Sequence, residues 1–344
     1  MFSHPEYDGH ERVVYVRDAA AGLSAIIALH STALGPAFGG CRMWPYGDDA
    51  QALTDALRLS RGMTYKAAIC ELPYGGGKSV ILGDPRRDKT PELLRAMGRA
   101  VESLGGSYII ADDVGTTLED LGVMRRETAH TAAATAAATA PLPVTAYGVF
   151  NALGAAARHY FGQEDFAGLS VAVQGLGNVG FPLCRFLHAK GARLVVADLD
   201  PARVARAQTE FAARATDVEA IYDADAHIFA PCALGGVLND ATIPRLKARL
   251  VCGGANNQLL EARHDAMLAR RDIAYVPDYL ANAGGVIDFY QETVDDRPEA
   301  VMASVERIGR ITRAVLERAR QEGKRPLAVA DAIVAERLSA ARRR

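Results

Sequence analysis

Apolar and polar positions alternate differently in the two halves of the chain. Residues 12–17 and 23–30 are β-branched or apolar runs split by Asp18-Ala19-Ala20-Ala21-Gly22, the pattern of a strand pair. A helical period covers residues 50–66, and residues 79–82 read as a strand after Gly75-Gly76-Gly77. Residues 91–104 are helical in pattern, with Thr90 as N-cap and Pro91 at the first helical position. Residues 107–111 follow as a short strand ending at Asp112-Asp113. The Ala/Thr run at 131–140 has no charge and fits helix and loop equally. Past Pro141 and Pro143, residues 144–161 carry the period of one long amphipathic helix, with Thr145 as its candidate cap.

From residue 170 the pattern changes to strands alternating with helices, the signature of a parallel sheet covered on both faces. Strands are expected at 170–174, 193–197, 227–230, 250–252 and 274–276, with a helix at 178–190. One helical pattern returns over 298–322, and the basic tail 336–344 reads as a solvated helix end.

With 344 residues the chain is long enough for two domains. Its hydrophobic share of 49% and charged share of 23% are those of an ordinary globular protein. A formal net charge of −2 offers no basic field for a phosphate backbone, so nucleic acid is not an expected partner. Residues 1–11 lack the charged-then-apolar pattern of a secretory leader, and no apolar run is long enough for a membrane span. The expectation is a cytoplasmic protein with no membrane partner. Cys41, Cys70, Cys184, Cys232 and Cys252 show neither CxxC nor zinc spacing, so they read as reduced core residues, and no metal is expected.

The first chemical motif is Gly175-Leu176-Gly177-Asn178-Val179-Gly180, a GxGxxG between an expected strand and an expected helix. The first glycine permits the tight turn, the second lets backbone approach a pyrophosphate, and the third allows strand and helix to pack closely. The next strand ends at Asp198, whose carboxylate suits the ribose hydroxyls and would repel a 2′-phosphate, so NAD is expected over NADP. Asp200 competes for that contact but precedes Pro201, which suits a helix cap.

Lysine supplies the second signal. Only six of the 39 basic residues are Lys, so a lysine in an apolar or glycine-rich setting invites a chemical reason, because it alone can lose its proton near neutral pH. Lys78 follows three glycines. The P-loop pattern would need glycine at position 72, where the chain has Leu72, so the run instead suggests backbone drawn close to a ligand. Lys66 sits before Ala67-Ala68-Ile69 and, taken alone, reads first as a snorkelling surface lysine. Asp113, at a strand end, reads equally as a turn or helix cap.

Several phrases together carry a resemblance. Gly39-Gly40-Cys41-Arg42-Met43, Gly62-Met63-Thr64-Tyr65-Lys66, Gly75-Gly76-Gly77-Lys78, Asp113-Val114-Gly115-Thr116, the segment 174–180, Ala230-Pro231-Cys232-Ala233-Leu234-Gly235 and Asn282-Ala283-Gly284-Gly285 resemble the glutamate/leucine/phenylalanine/valine dehydrogenase superfamily, nearest its leucine, valine and phenylalanine branch. The resemblance implies NAD-dependent oxidative deamination of an L-amino acid to a 2-oxo acid and ammonia, reversible as reductive amination. It implies Lys66 on the substrate carboxylate, Lys78 at the reacting centre and its hydrolytic water, Asp113 as proton shuttle, and the backbone of Gly39 and Gly40 lining the substrate. It further implies cofactor contacts from Thr145, Ala230, Asn257 and Asn282. For Thr145 and Asn282, a plain helix cap and an asparagine turn are the competing readings.

For fold, the expectation is an N-terminal α/β substrate domain (1–140), a Rossmann domain (141–324), an active-site cleft between them, and a last helix (325–344) returning to the first. A homo-oligomer is implied by the resemblance. Leu142 stands where the superfamily usually has a small hydroxyl residue, which removes one hydrogen bond expected near the nicotinamide. Substrate side-chain positions implied are Phe38, Ala111, Val286 and Val305. Alanine at 111 points to the branched-chain amino acids leucine, valine and isoleucine, and Phe38 leaves an aromatic substrate open. A non-catalytic NAD-binding protein is the rival from another class.

Overall fold

The computed structural model describes residues 2–132 and 143–343. Leu142 and the Ala/Thr run from residue 133 onward lie outside the described residues. The chain divides into two compact units, Met1–Ala140 with Glu336–Arg344, and Pro141–Ala335.

The first unit holds β1 (Arg12–Asp18), β2 (Leu23–Ser31), β3 (Ala37–Trp44), α1 (Asp49–Ile69), β4 (Gly75–Leu82), α2 (Pro91–Glu102), β5 (Tyr108–Asp112) and α3 (Leu118–Met124). Its sheet runs β1-β2-β4-β3-β5. The β1/β2 and β2/β4 pairs are antiparallel, and β3 is parallel to both β4 and β5. The period of two in β2 serves both faces. Leu23, Ala25, Ile27 and Leu29 pack with Leu93, Leu94 and Met97 of α2, whereas Ile26 and Ala28 pack with Ala52, Leu53, Ala56 and Leu57 of α1. Two cores on one strand explain why β2 is buried almost throughout.

Local chemistry starts and stops these elements as expected. Thr90 Oγ1 accepts from Leu93 N with Pro91 in the first turn, and Asp48 accepts from Gln51 N at the start of α1. At the far end of α1, Arg337 donates to the carbonyls of Ala68 and Ile69 in the last turn, where Ala68 O also accepts from Glu71 N.

Two expectations change in this unit. Strand β4 begins at Gly75 rather than at residue 79, so the triglycine is inside the sheet. Its glycines are explained by protein rather than by ligand. A Cβ on Gly75 would lie 1.9 Å from Ser31 O, one on Gly76 2.0 Å from Thr64 N, and one on Gly77 2.7 Å from the Tyr108 ring. The run lets α1 lie directly on the strand backbone.

The second unit begins with α4 (Val144–Phe161) and continues β6 (Ser170–Gln174), α5 (Gly180–Ala189), β7 (Arg193–Ala197), α6 (Pro201–Phe211), β8 (Arg214–Ala215), β9 (Ile228–Pro231), β10 (Leu250–Val251), α7 (Arg263–Ala269), β11 (Ala274–Tyr275), α8 (Asp278–Ala281), α9 (Gly284–Glu292), α10 (Pro298–Val305), α11 (Arg307–Glu322) and α12 (Pro326–Arg342), whose last residues belong to the first unit. Its six strands, in the order β11-β10-β9-β6-β7-β8, are all parallel. Strand order reverses between β6 and β9, and a doubly wound sheet opens its ligand crevice at the carboxyl ends of strands at such a point.

Asp200 does cap α6, accepting from Ala202 N. Thr145 does not cap α4. The helix starts after Pro143 with no side-chain cap, and Thr145 lies inside its first turn. The helical pattern over 298–322 is two helices broken at Glu306, with Arg307 Nε donating to Ser304 O across the break.

Candidate active site

In the first unit the site grows from three parallel strands. The β3–β4 register has a constant offset that sets Gly40 beside Lys78, and β5 places Ala111 opposite Gly40. Lys78 is only 5% exposed. Its Nζ donates to Asp113 Oδ2 at 2.8 Å, and Arg42 Nε donates to the same oxygen at 2.8 Å. Asp113 Oδ1 has no partner among the described residues. Just past the end of β5, Asp113 is held by its own backbone, whose N–H donates to Thr116 Oγ1, while that hydroxyl donates to Cys41 O.

Burial alone would raise the Asp113 pKa, but Lys78 and then Arg42 outweigh it and hold the carboxyl well below the ordinary carboxylate value. Beside it, burial pushes the Cys41 thiol up to about 12, which keeps it neutral and unreactive. A buried ion pair is poor value for stability, since well-packed apolar groups of the same volume do as well. A lysine and a carboxylate kept together in this setting therefore point to chemistry.

The glycines around this pair leave no alternative residue. A Cβ on Gly40 would stand 2.8 Å from Asp113 Cβ and 3.1 Å from Lys78 Nζ, and one on Gly39 would stand 1.7 Å from Gly77 O. Phe38 on β3 is buried against Tyr74, with ring centroids 5.7 Å apart. Lys66 sits half-buried in the last turn of α1, two residues beyond the Thr64 that touches Gly76. The structure thus brings Gly39, Gly40, Lys78, Ala111 and Asp113 together, with Phe38 on the same strand and Lys66 on the helix above.

The second unit carries the GxGxxG loop between β6 and α5, and its three glycines differ. Gly175 has φ +91°, and a Cβ there would strike the Ala233 backbone at 2.9 Å. Gly180 would place a Cβ 1.8 Å from Gly175 O. Gly177 would meet only Arg203 Nη1, at 3.8 Å. Fold thus demands the first and third glycines. The second keeps a space open before the N-terminus of α5, beside Leu176, Asn178 and Val179, which is where a pyrophosphate fits. Ala230 lies in β9 across from Val173, on the other flank of the reversal point. Past the end of β7, Asp198 Oδ2 accepts from Leu176 N at 2.5 Å and Oδ1 from Asp200 N at 2.8 Å, so the acid is tied to the loop.

Thr145 and Asn282 come from α4 and the end of α8, joined through small residues. A Cβ on Gly284 would sit 2.3 Å from Val144 O, and one on Gly285 3.7 Å from Thr145 Oγ1. Asn282 Nδ2 donates to Gly254 O at 3.2 Å and Asn256 Oδ1 at 3.0 Å, while its Oδ1 is buried without a partner and can accept from an amide. Asn257 adopts φ +52° in the turn facing residues 235–236. Val286 in α9 and Val305 at the end of α10 are both buried in this unit.

This arrangement matches known proteins along its length. Residues 10–130 fit the model of the Glu/Leu/Phe/Val dehydrogenase dimerisation domain, and residues 141–202 and 200–344 fit that of the glutamate/leucine/phenylalanine/valine dehydrogenases. The chain belongs to this family. Within it, the leucine dehydrogenase of Bacillus subtilis (strain 168) is 47% identical over 100% of this chain and 95% of its own. The valine dehydrogenase of Streptomyces albus is 45% identical over 99% and 95%. The crystal structure of L-tryptophan dehydrogenase from Nostoc punctiforme superposes with a TM-score of 0.82, at 42% identity over 98% of this chain and 97% of that one. As a family member with this Rossmann-type unit, the protein is an amino-acid dehydrogenase that takes a nicotinamide dinucleotide.

Sequence reading passed over Arg42, Asp55, Tyr46 and Thr116 as site residues. Arg42 was visible in the Gly-Gly-Cys-Arg-Met phrase, but its partner Asp55 lies on a helix and no spacing announces the contact. Asp240, Glu261 and His264 also cluster, with ligand atoms within 4.8 Å of one another. Arg263 engages both carboxylates, and His264 Nδ1 accepts from Glu261 N, which leaves the proton on Nε2 and no lone pair there for a metal. No helix among the described residues is long and apolar enough to cross a membrane.

Proposed function

We propose that the protein catalyses NAD-dependent oxidative deamination of an L-amino acid, with branched-chain aliphatic side chains preferred, to the 2-oxo acid and ammonia, and the reverse reductive amination. The observation that carries this reading is the Lys78–Asp113 pair at 2.8 Å, buried beside Gly40, with one carboxylate oxygen bound and the other free. Asp113 Oδ1 accepts a proton from the substrate ammonium. The bound nicotinamide supplies the two-electron oxidation at Cα. Water adds to the resulting iminium carbon, with Lys78 Nζ hydrogen-bonded to that oxygen and exchanging its proton. Asp113 returns a proton to nitrogen as ammonia leaves and the carbonyl forms. Lys66 holds the substrate carboxylate as a fixed cation, and Gly39 and Gly40 present backbone to it. Water is consumed, one hydride equivalent leaves with the cofactor, and ammonia departs, so atoms and electrons balance.

NAD over NADP is supported by the Asp198 carboxylate past the end of β7, although Arg203 stands 4.0 Å from it. Gly175, Leu176, Gly177, Asn178, Val179 and Gly180 would cradle the pyrophosphate, Ala230 and Asn257 would flank the adenosine and loop, and Thr145 and Asn282 would meet the carboxamide. The Ala111 methyl, with Val286 and Val305, favours leucine, valine and isoleucine. A second reading, an aromatic amino acid, is favoured by the Phe38–Tyr74 ring pair and by similarity to a tryptophan dehydrogenase. The match of residues 10–130 to a dimerisation domain supports a homo-oligomer.

The test is NADH formation over a panel of L-amino acids with NAD+ and NADP+ in parallel, for wild type and Lys78→Ala. Loss of about 10²- to 10⁴-fold in kcat with unchanged NADH affinity is expected. Unchanged turnover would remove Lys78 from the mechanism.

A further inference from the structure

Beyond the pair itself, the same pocket contains charges that the reaction as written does not use. Arg42 on β3 donates through Nε to Asp113 Oδ2 and through Nη1 to Asp55 Oδ2, both at 2.8 Å. Asp55, on α1, also accepts from Tyr46 OH at 2.6 Å. The result is a chain of alternating charge, Asp55, Arg42, Asp113, Lys78, spanning α1, β3, the end of β5 and β4. Arg42 and Lys78 both take Oδ2 of Asp113, so rotation about the Asp113 side chain is fixed and Oδ1 is presented outward.

We propose that Arg42 is a positioning residue for the deamination, fixing which oxygen of Asp113 meets the substrate amine, and that Asp55 sets its strength by sharing it. This inference rests on the proposed function for its kinetic consequence, but the charge chain itself is independent of that reading. Asp113 must take and return a proton within one turnover. Two full cations on one oxygen would hold it so firmly ionised that protonation is costly, and a second acid on Arg42 moderates the pull. Asp55 and Arg42 therefore act in opposite directions on the same potential. Other groups facing Asp113 are Asp112 beside it in the chain, Tyr108 of β5, Tyr46 and the neutral Cys41 thiol of β3. Lys89 donates to Gly115 O but is paired with Asp120 at 2.7 Å, so Arg42 and Lys78, which bond Asp113 directly, set the sign.

Replacing Arg42 by Gln makes the site more negative and raises the pKa of Asp113. Replacing Asp55 by Asn frees Arg42 to act on Asp113 alone and lowers that pKa. The pH profile of kcat/KM for the best L-amino acid should move up by about one unit in Arg42→Gln and down by a fraction of that in Asp55→Asn. Arg42→Lys should recover part of the shift. A merely structural role would lower kcat in both variants without moving the profiles apart, and that result, or shifts of the same sign, overturns the proposal. A second measurement reads the clamp without turnover: ¹³C NMR of the Asp113 carboxyl, assigned with Asp113→Asn, titrated into acid. Asp113 should protonate at higher pH in Arg42→Gln than in wild type, and coincident titrations overturn the clamp. Wild-type protein that oxidises no L-amino acid would instead defeat the proposed function, with the NMR titration still judging Arg42.

Discussion

Gly177 and Gly180 belong to one motif, yet the structure assigns them opposite sensitivities. A methyl at 180 requires Gly175 O to retreat from 1.8 Å to at least 3.4 Å, and both atoms belong to backbone fixed between β6 and α5. Overpacking of this kind costs about 1–3 kcal/mol, which for a unit of this size lowers Tm by roughly 2–12 °C. A methyl at 177 meets only the end of a flexible arginine at 3.8 Å, and the φ of Gly177 is outside the left-handed region. Gly177→Ala should therefore leave the fold intact or stabilise it by about 0.4–1 kcal/mol, because alanine restricts the unfolded chain. What it fills is the space that the proposed function gives to the pyrophosphate. Displacing the pyrophosphate from one charge-assisted N–H costs about 1.5–3 kcal/mol, so the Kd for NADH should rise about 10- to 150-fold. Calorimetry for Tm and fluorescence titration with NADH measure the two effects separately. Wild-type NADH affinity in folded Gly177→Ala, or a Tm loss equal to that of Gly180→Ala, would refute the reasoning.

Two further outcomes follow from charge. Asp198→Asn keeps an acceptor for Leu176 N and removes the negative charge, so the NAD+/NADP+ ratio of kcat/KM should fall by about tenfold or more; an unchanged ratio would take the specificity away from Asp198. His30, packed edge-on against His10 and bonded to Thr64 Oγ1, has its pKa pushed down to about 4 by burial and then by His10. Because the unfolded histidine binds its proton near 6.5, stability is complete above that pH and falls as pH drops toward 4, by up to about 3 kcal/mol. Urea unfolding of wild type and His30→Gln at pH 7 and pH 4.5 checks this; equal losses in the two proteins would exclude His30 as a source.

Much of the architecture was legible because short-range rules decide it. The β1/β2 pair, the Thr90 and Asp200 caps, and the parallel strands after residue 170 follow from period, cap chemistry and turn residues. Glycine was harder to read, since one symbol covers several causes. Residues 75–77 look like a ligand loop, but they are a strand stripped of side chains so that a helix and Tyr108 can approach. Thr145 looks like a cap because Thr often is one, whereas Pro143 leaves the helix start uncapped and Thr145 one position inside it. In the site, Lys78 and Asp113 were visible as residues in unusual settings. Their meeting, and the part of Arg42 and Asp55, depend on how β3, β4, β5 and α1 align, which no local pattern encodes.

Strand β4 has a consequence for anyone wishing to change what this protein accepts. Within four consecutive residues it contains three glycines at which a Cβ would come within 2.7 Å of other atoms, and the ammonium on which the proposed chemistry depends. Libraries randomised over 75–78 should return almost nothing but the starting sequence, and neighbouring Gly39 and Gly40 should behave the same way. Freedom to vary is concentrated one step aside, at Phe38, which leans on another side chain, and at Ala111, which is only half-buried. Under the proposed function, redesign of selectivity has a small and well-bounded territory, and it can proceed there without touching the framework on which the proposed turnover depends.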